Sequence, residues 1–187
     1  TASDNTNIPL GETSLLTSGV LSNVSQIWAA GPQLALRWKR FLLKSEYYHI
    51  GVQQGASVEA PSVLRSFGFD GWYVAANYTL LGNPRAYNEK IGAFTTPGVV
   101  YDFDPAHNHW GALELSGRWS VTNLRDGDTG NQQTTWEGGL NWYPNRHFRF
   151  MLDYQRFIIS RDPNTKATVN LFGTTGNAVV GRVQAAF

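Results

Sequence analysis

The chain has 187 residues, a formal charge of +1 and no cysteine. That length fits one domain, the near balance of charge gives no electrostatic case for a nucleic-acid partner, and no disulfide framework is available. The mean hydropathy is -0.30 and no run approaches the roughly 18 apolar residues of a membrane helix, which excludes a helical membrane protein.

The first residues, Thr1 to Thr6, are polar and lack a basic and apolar signal region, so the start reads as a processed end or a fragment. A partial strand is expected around Ser14 to Val20. Within 31–38, Leu34, Leu36 and Trp38 alternate with Ala35 and Arg37, and Lys39-Arg40 turns the chain into a strand over 41–54. There Leu43 and Tyr47 oppose Lys44 and Glu46, while Tyr48 and Ile50 blur the pattern at the upper end. After a loop at 55–66, the strand 67–81 sets Trp72, Val74, Ala76, Tyr78 and Leu80 against Tyr73, Ala75, Asn77 and Thr79. The link 82–108 is too long for a tight turn; it either folds into the interior or holds a short extra hairpin.

In 109–123, Leu113, Leu115, Gly117, Trp119 and Val121 oppose Glu114, Ser116, Arg118 and Ser120. A loop at 124–133 precedes 134–144, where Trp136, Gly138, Leu140 and Trp142 oppose Glu137, Gly139, Asn141 and Tyr143. Pro144-Asn145-Arg146 makes a turn into 147–160, and Phe148, Phe150, Leu152 and Tyr154 oppose Arg149, Met151, Asp153 and Gln155. Beyond a loop at 161–174, the final strand 175–187 sets Phe187, Ala185, Val183, Gly181 and Val179 against Ala186, Gln184, Arg182 and Val180.

A period of two held over about ten residues matches a strand that crosses the outer membrane, apolar side to lipid and mixed side to the lumen. The seven tryptophans and eight tyrosines support this, because Trp38, Trp72, Trp110, Trp136, Trp142 and Tyr143 fall at strand ends, where barrels mark the membrane interfaces. One such strand would equally suit the edge of a soluble sheet, and aromatic side chains also fill β-sandwiches; repetition along the chain decides against both. The expected fold is all-β, a transmembrane antiparallel β-barrel of the outer-membrane type, with one barrel region over 1–187 and seven to eight strands. So few strands close only a side-chain-filled barrel, so a pore needs strands from another segment or polypeptide. With Phe187 at the periplasmic end, strand parity makes 55–66, 124–133 and 161–174 extracellular.

Several runs carry a family resemblance: Leu42-Leu43-Lys44-Ser45-Glu46-Tyr47-Tyr48, Phe69-Asp70-Gly71-Trp72-Tyr73-Val74, and Tyr78-Thr79-Leu80-Leu81-Gly82. They are followed by Gly111-Ala112-Leu113-Glu114-Leu115 with Arg118-Trp119, by Gly139-Leu140-Asn141-Trp142-Tyr143-Pro144-Asn145, and by Arg149-Phe150-Met151-Leu152-Asp153-Tyr154. In order and spacing, 15–187 resembles the C-terminal half of the phosphate-selective porin O/P family, departing from it where Lys39-Arg40-Phe41 replaces the usual Gly-Pro-Phe. The resemblance implies a sixteen-stranded barrel of the bacterial outer membrane, surrounded by lipid and assembled as a homotrimer. It also implies passive diffusion of small anions, phosphate included, past arginine and lysine side chains. Phe187 is then the terminal aromatic that the assembly machinery recognises.

On this pattern the lumen-facing charges are Arg37, Lys44, Arg118, Arg149 and Arg182 against Glu46, Glu114, Glu137 and Asp153. Guanidinium groups beside a water-filled pore hold phosphate as forks and lower the barrier for anions. The competing reading pairs these cations with the four carboxylates across neighbouring strands as a polar wall, and the nearly balanced signs count in its favour. Asp102, Asp104, His107 and His109 bring two carboxylates and two imidazoles together, yet in a long polar link without cysteine they read as exposed side chains rather than a metal site. Asp126-Gly127-Asp128 lacks the later Glu of a calcium loop and reads as a turn. Ser45 and His49 face away from Glu46 and form no catalytic set; Gly130 and Gly138-Gly139 precede no helix and are not phosphate loops. No cofactor, metal or enzymatic activity is expected. The function alternative to an anion porin is a non-conducting barrel scaffold within a larger complex.

Overall fold

The computed structural model describes Leu16, Ser18, Leu21 and residues 23–55, 65–126, 130–161 and 174–185. Apart from Leu16 and Ser18, the expected strand at Ser14 to Val20 lies outside the described residues, as does the terminal Phe187. Ten strands occur in the described chain: β1 Val24–Ala30, β2 Gln33–Trp38, β3 Phe41–Gln54, β4 Ser66–Leu81, β5 Tyr87–Asn88, β6 Ala93–Phe94, β7 Ala112–Asn123, β8 Asn131–Tyr143, β9 Phe148–Arg161 and β10 Thr174–Ala185. Eight form one antiparallel sheet in the order β1-β3-β4-β7-β8-β9-β10, with β2 also on β3; β5 and β6 make a separate hairpin. The all-β antiparallel fold fits an outer-membrane barrel, and the sheet does not close on itself among the described residues.

The first strand begins earlier than its alternation suggests. β1 pairs with the upper part of β3, from Val24 opposite Gln54 to Ala30 opposite His49, and β2 with the lower part, from Gln33 opposite Glu46 to Trp38 opposite Phe41. Together they form one strand broken at Gly31-Pro32. A Cβ on Gly31 would collide with the Tyr47 carbonyl oxygen, and Pro32 brings no N–H, so neither residue continues a regular ladder. The Pro32 carbonyl still accepts the Tyr47 N–H at 3.1 Å.

Register then fixes the two faces, because directly opposed residues point the same way. One face carries Leu36, Leu43, Val74, Tyr78, Leu115, Trp119, Leu140, Trp136, Phe150, Leu152 and Val183; the other carries Lys44, Arg118, Glu137 and their neighbours. The apolar face is the open one: Leu36 and Leu152 are each 55% exposed and Val183 65%. On the polar face Glu114 is 0% and Thr79 2% exposed. This inverts a soluble protein, where exposed apolar patches are small, and matches a sheet with lipid on its outside.

The upper end of the polar face is apolar, which explains the blurred pattern at Tyr48 and Ile50. Leu16, Val52, Phe69 and Leu124 form a buried cluster there, flanked by Leu21, Ile50 and Phe67. At the opposite end the 82–111 link contains the β5/β6 hairpin and a 3-10 turn over Pro105–His107, capped by the Asp104 side chain on the Ala106 N–H. The extra hairpin anticipated for this link is therefore present, and the link also reaches the polar face through Arg85.

Candidate functional site

All nine charged residues expected to face a lumen lie on the polar face, arranged in register rows that run across the sheet. One row reads Ala35, Lys44, Ala75, Arg118, Glu137, Gln155, Ala178; the next above reads Gln33, Glu46, Tyr73, Ser120, Thr135, Phe157, Gly176. Below them run Arg37, Leu42, Asn77, Ser116, Gly139, Asp153, Val180, and then Thr79, Glu114, Asn141, Met151, Arg182. Arg149 stands lower still, opposite Gln184.

Among the described residues the cross-strand charge pairs of the competing reading are not found. Among the described residues none of Arg37, Lys44, Arg118, Arg149 and Arg182 forms an ion pair with Glu46, Glu114, Glu137 or Asp153. Arg118 and Glu137 stand directly opposite, yet the guanidinium lies over the Tyr73 ring at 4.3 Å and Glu137 accepts a hydrogen bond from Gln155 at 3.0 Å. Glu46 accepts from the Gln33 amide at 2.9 Å. Arg149 donates to Asn141 Oδ1 at 2.8 Å and stacks over Tyr143, while Arg37 donates to the Arg85 carbonyl at 3.3 Å. The side chains Asn77, Ser116, Arg118, Glu137 and Asp153 line an open recess of about 170 Å³ at mid-height. Gly139 makes its floor: a Cβ there would run into the Asp153 carboxylate.

Glu114 is the exception, and its partner is a residue the alternation could not reveal. From the 82–111 link, Arg85 Nε donates to Glu114 Oε2 at 2.6 Å and Nη2 to Oε1 at 2.7 Å. Asn77 and Asn141 amides add contacts to Oε1 at 3.3 and 3.5 Å. Burial alone would lower the Arg85 guanidinium, but the hydrogen bonds and charge of Glu114 outweigh it and hold the group above its ordinary value. One carboxylate of the face is thereby neutralised, so the remaining balance shifts towards positive charge. Arg40, at the β2-β3 turn, donates to the Thr79 and Leu80 carbonyls at 3.1 and 3.2 Å and adds a further cation at this end.

The other motifs stay small. His107 bonds Asp104 at 2.6 Å and His109 stacks on Tyr101 with ring centroids 4.3 Å apart, and no group of three metal-binding side chains forms among the described residues. Asp126 accepts the Gly68 N–H at 2.6 Å; Gly127 and Asp128 lie outside the described residues. His49 bonds Asp70 at 2.7 Å, and both share the apolar face with Ser45, away from Glu46.

No curated protein matches this chain. A family model described as phosphate-selective porin O and P matches residues 2–187. With its open apolar face, its charged inner face and that match across the sheet, the chain belongs to the phosphate-selective porin O and P family, an outer-membrane channel family.

Proposed function

We propose that the polar face lines a water-filled channel through which small anions, phosphate among them, diffuse passively across the outer membrane. The observation that carries this reading is the separation of charges on that face: five cations stand in register rows without carboxylate partners among the described residues. An unpaired guanidinium beside confined water offers a fork to a passing oxyanion and lowers its barrier, whereas a paired one offers little. Arg37, Lys44, Arg118, Arg149 and Arg182 act as the anion contacts, and Glu46, Glu137 and Asp153 moderate the field so that an ion is not held too tightly to leave.

The lateral edges of the sheet require completion on this reading. In the sheet of described residues, β1 with β2 on one side and β10 on the other would expose unpaired N–H and C=O groups to hydrocarbon, where each costs several kcal/mol. Further strands close the barrel, and the functional unit is a homotrimer of such barrels. Planar-bilayer recording tests the reading: the assembled protein should give discrete conductance steps that fall when phosphate is added to chloride, as a bound oxyanion blocks chloride passage. Membranes that stay silent would remove it.

A further inference from the structure

A run of touching aromatic side chains crosses the apolar face, with Trp119 directly opposite Trp136 and Trp72 diagonal to Trp119. Trp72 meets Trp119 edge to face with ring centroids 4.6 Å apart, and Trp119 stacks on Trp136 at 4.9 Å and an angle of 4°. Next across the sheet, directly opposite Trp136, stands Arg156. Arg156 is exposed and lies on the apolar face, with Tyr154 and Ile158 two residues to either side along β9. Asn177, its other cross-strand neighbour, is occupied by the Tyr154 hydroxyl at 2.8 Å. Among the described residues no carboxylate pairs with Arg156.

A guanidinium on a lipid-facing surface is costly at the bilayer centre, about 2–4 kcal/mol, and nearly free at the interface. Aromatic side chains mark that interface, and Arg156 shares the register row of Trp119 and Trp136 in the half of β9 nearer 162–173, the side read as extracellular, so an interfacial position follows for it on the membrane reading. His49 and Asp70, four residues further along β3 and β4 than the row of Arg156, satisfy each other, which leaves Arg156 as the strand cation on this face without a carboxylate among the described residues.

We propose that Arg156, with Trp136 and Tyr154 beside it, binds a phosphate group of an anionic lipid in the outer leaflet; this rests on the membrane reading above. The planar fork takes two phosphate oxygens, and the flanking rings and Ile158 cover the first segment of the acyl chains. Charge complementarity selects a phosphorylated lipid over a neutral one, and the exposed aromatic row gives the lipid body its seat.

Binding of a diphosphorylated glucosamine lipid to the assembled protein, measured by native mass spectrometry in detergent, tests this for wild type, Arg156→Gln and Arg156→Lys. Loss of a charge-assisted contact predicts affinity about tenfold or more weaker for Arg156→Gln. Arg156→Lys should fall between them, and the dephosphorylated lipid should bind all three alike. Single-channel conductance of Arg156→Gln should equal wild type, which keeps the porin reading separate from the lipid site. Equal affinity of wild type and Arg156→Gln for the phosphorylated lipid would overturn the proposal. So would displacement of that lipid by inorganic phosphate at equal concentration, or dissociation of Arg156→Gln into protomers with its lipid affinity unchanged, which would assign Arg156 to a protein contact.

Discussion

Arg85 reaches out of the long link between β4 and β7 and grips Glu114 at two points, 2.6 and 2.7 Å, where the carboxylate has no solvent exposure. Such a pair ties the link to the inner face more through the cost of breaking it than through its net strength. Arg85→Met leaves Glu114 buried without a cation and should lower stability by about 3–5 kcal/mol. Arg85→Met combined with Glu114→Gln should recover most of the loss. Thermal unfolding of the assembled protein, read by the heat shift on a gel, checks both. If the double variant is no more stable than Arg85→Met, the ion pair is not what fastens the link.

The two faces differ in what they tolerate. Arg118→Glu and Arg182→Glu, on the polar face, should assemble normally. Leu152→Glu and Val183→Glu place a charge on the lipid side, where arginine or lysine at mid-membrane costs about 2–4 kcal/mol and an acidic residue less, and should reduce the assembled fraction. Quantifying heat-resistant protein in isolated outer membranes distinguishes the sets. Equal behaviour of all four would mean that the faces are assigned wrongly.

Glycines on this sheet are not equivalent. At Gly31 an added Cβ meets the Tyr47 carbonyl, whereas at Gly138, on the apolar face, it meets nothing within 4 Å. Gly31→Val should cost stability on the order of 1–3 kcal/mol through backbone displacement. Gly138→Val should be neutral or slightly stabilising, since a β-branched residue suits a strand better than glycine. Urea unfolding of both variants in detergent gives the comparison.

Topology is open to proteolysis. The turn at 144–147 joins β8 to β9 at the end opposite the connections 55–65, 124–130 and 162–173. With those connections outside the cell, trypsin added to intact cells should cut at Arg125 or Lys166 and spare Arg146. Preferential cleavage at Arg146 would turn the sheet over.

Much of this architecture is legible in the sequence because period two reports facing directly. The alternation of Trp136 to Trp142 against Glu137 to Tyr143 predicts a hairpin with Phe148 to Tyr154, and Leu140 does stand opposite Leu152. The alternation fails where other forces act. Gly31-Pro32 hides that Val24 to Ala30 belongs to the first strand, because a break in pairing looks like a loop. Asn131, Gln132 and Gln133 read as loop because they are polar on both faces, yet they pair with Arg161, Ser160 and Ile159 above the apolar band. Ile50 breaks the polar pattern because it packs beside a buried cluster of Val52, Phe69, Leu16 and Leu124. Arg85 carries no local signal at all. Its role depends on how a thirty-residue link, 82–111, lies against strands distant in sequence, which periodicity cannot report.

The central claim is that unpaired cations on the inner face make the channel favour anions. The reversal potential of the assembled protein in a potassium chloride gradient measures this directly. The account predicts a potential of the anion-selective sign that moves towards zero in Arg118→Glu and Arg182→Glu and weakens as salt screens the face. A wild-type potential of the cation-selective sign, or one unchanged by both substitutions, would contradict it.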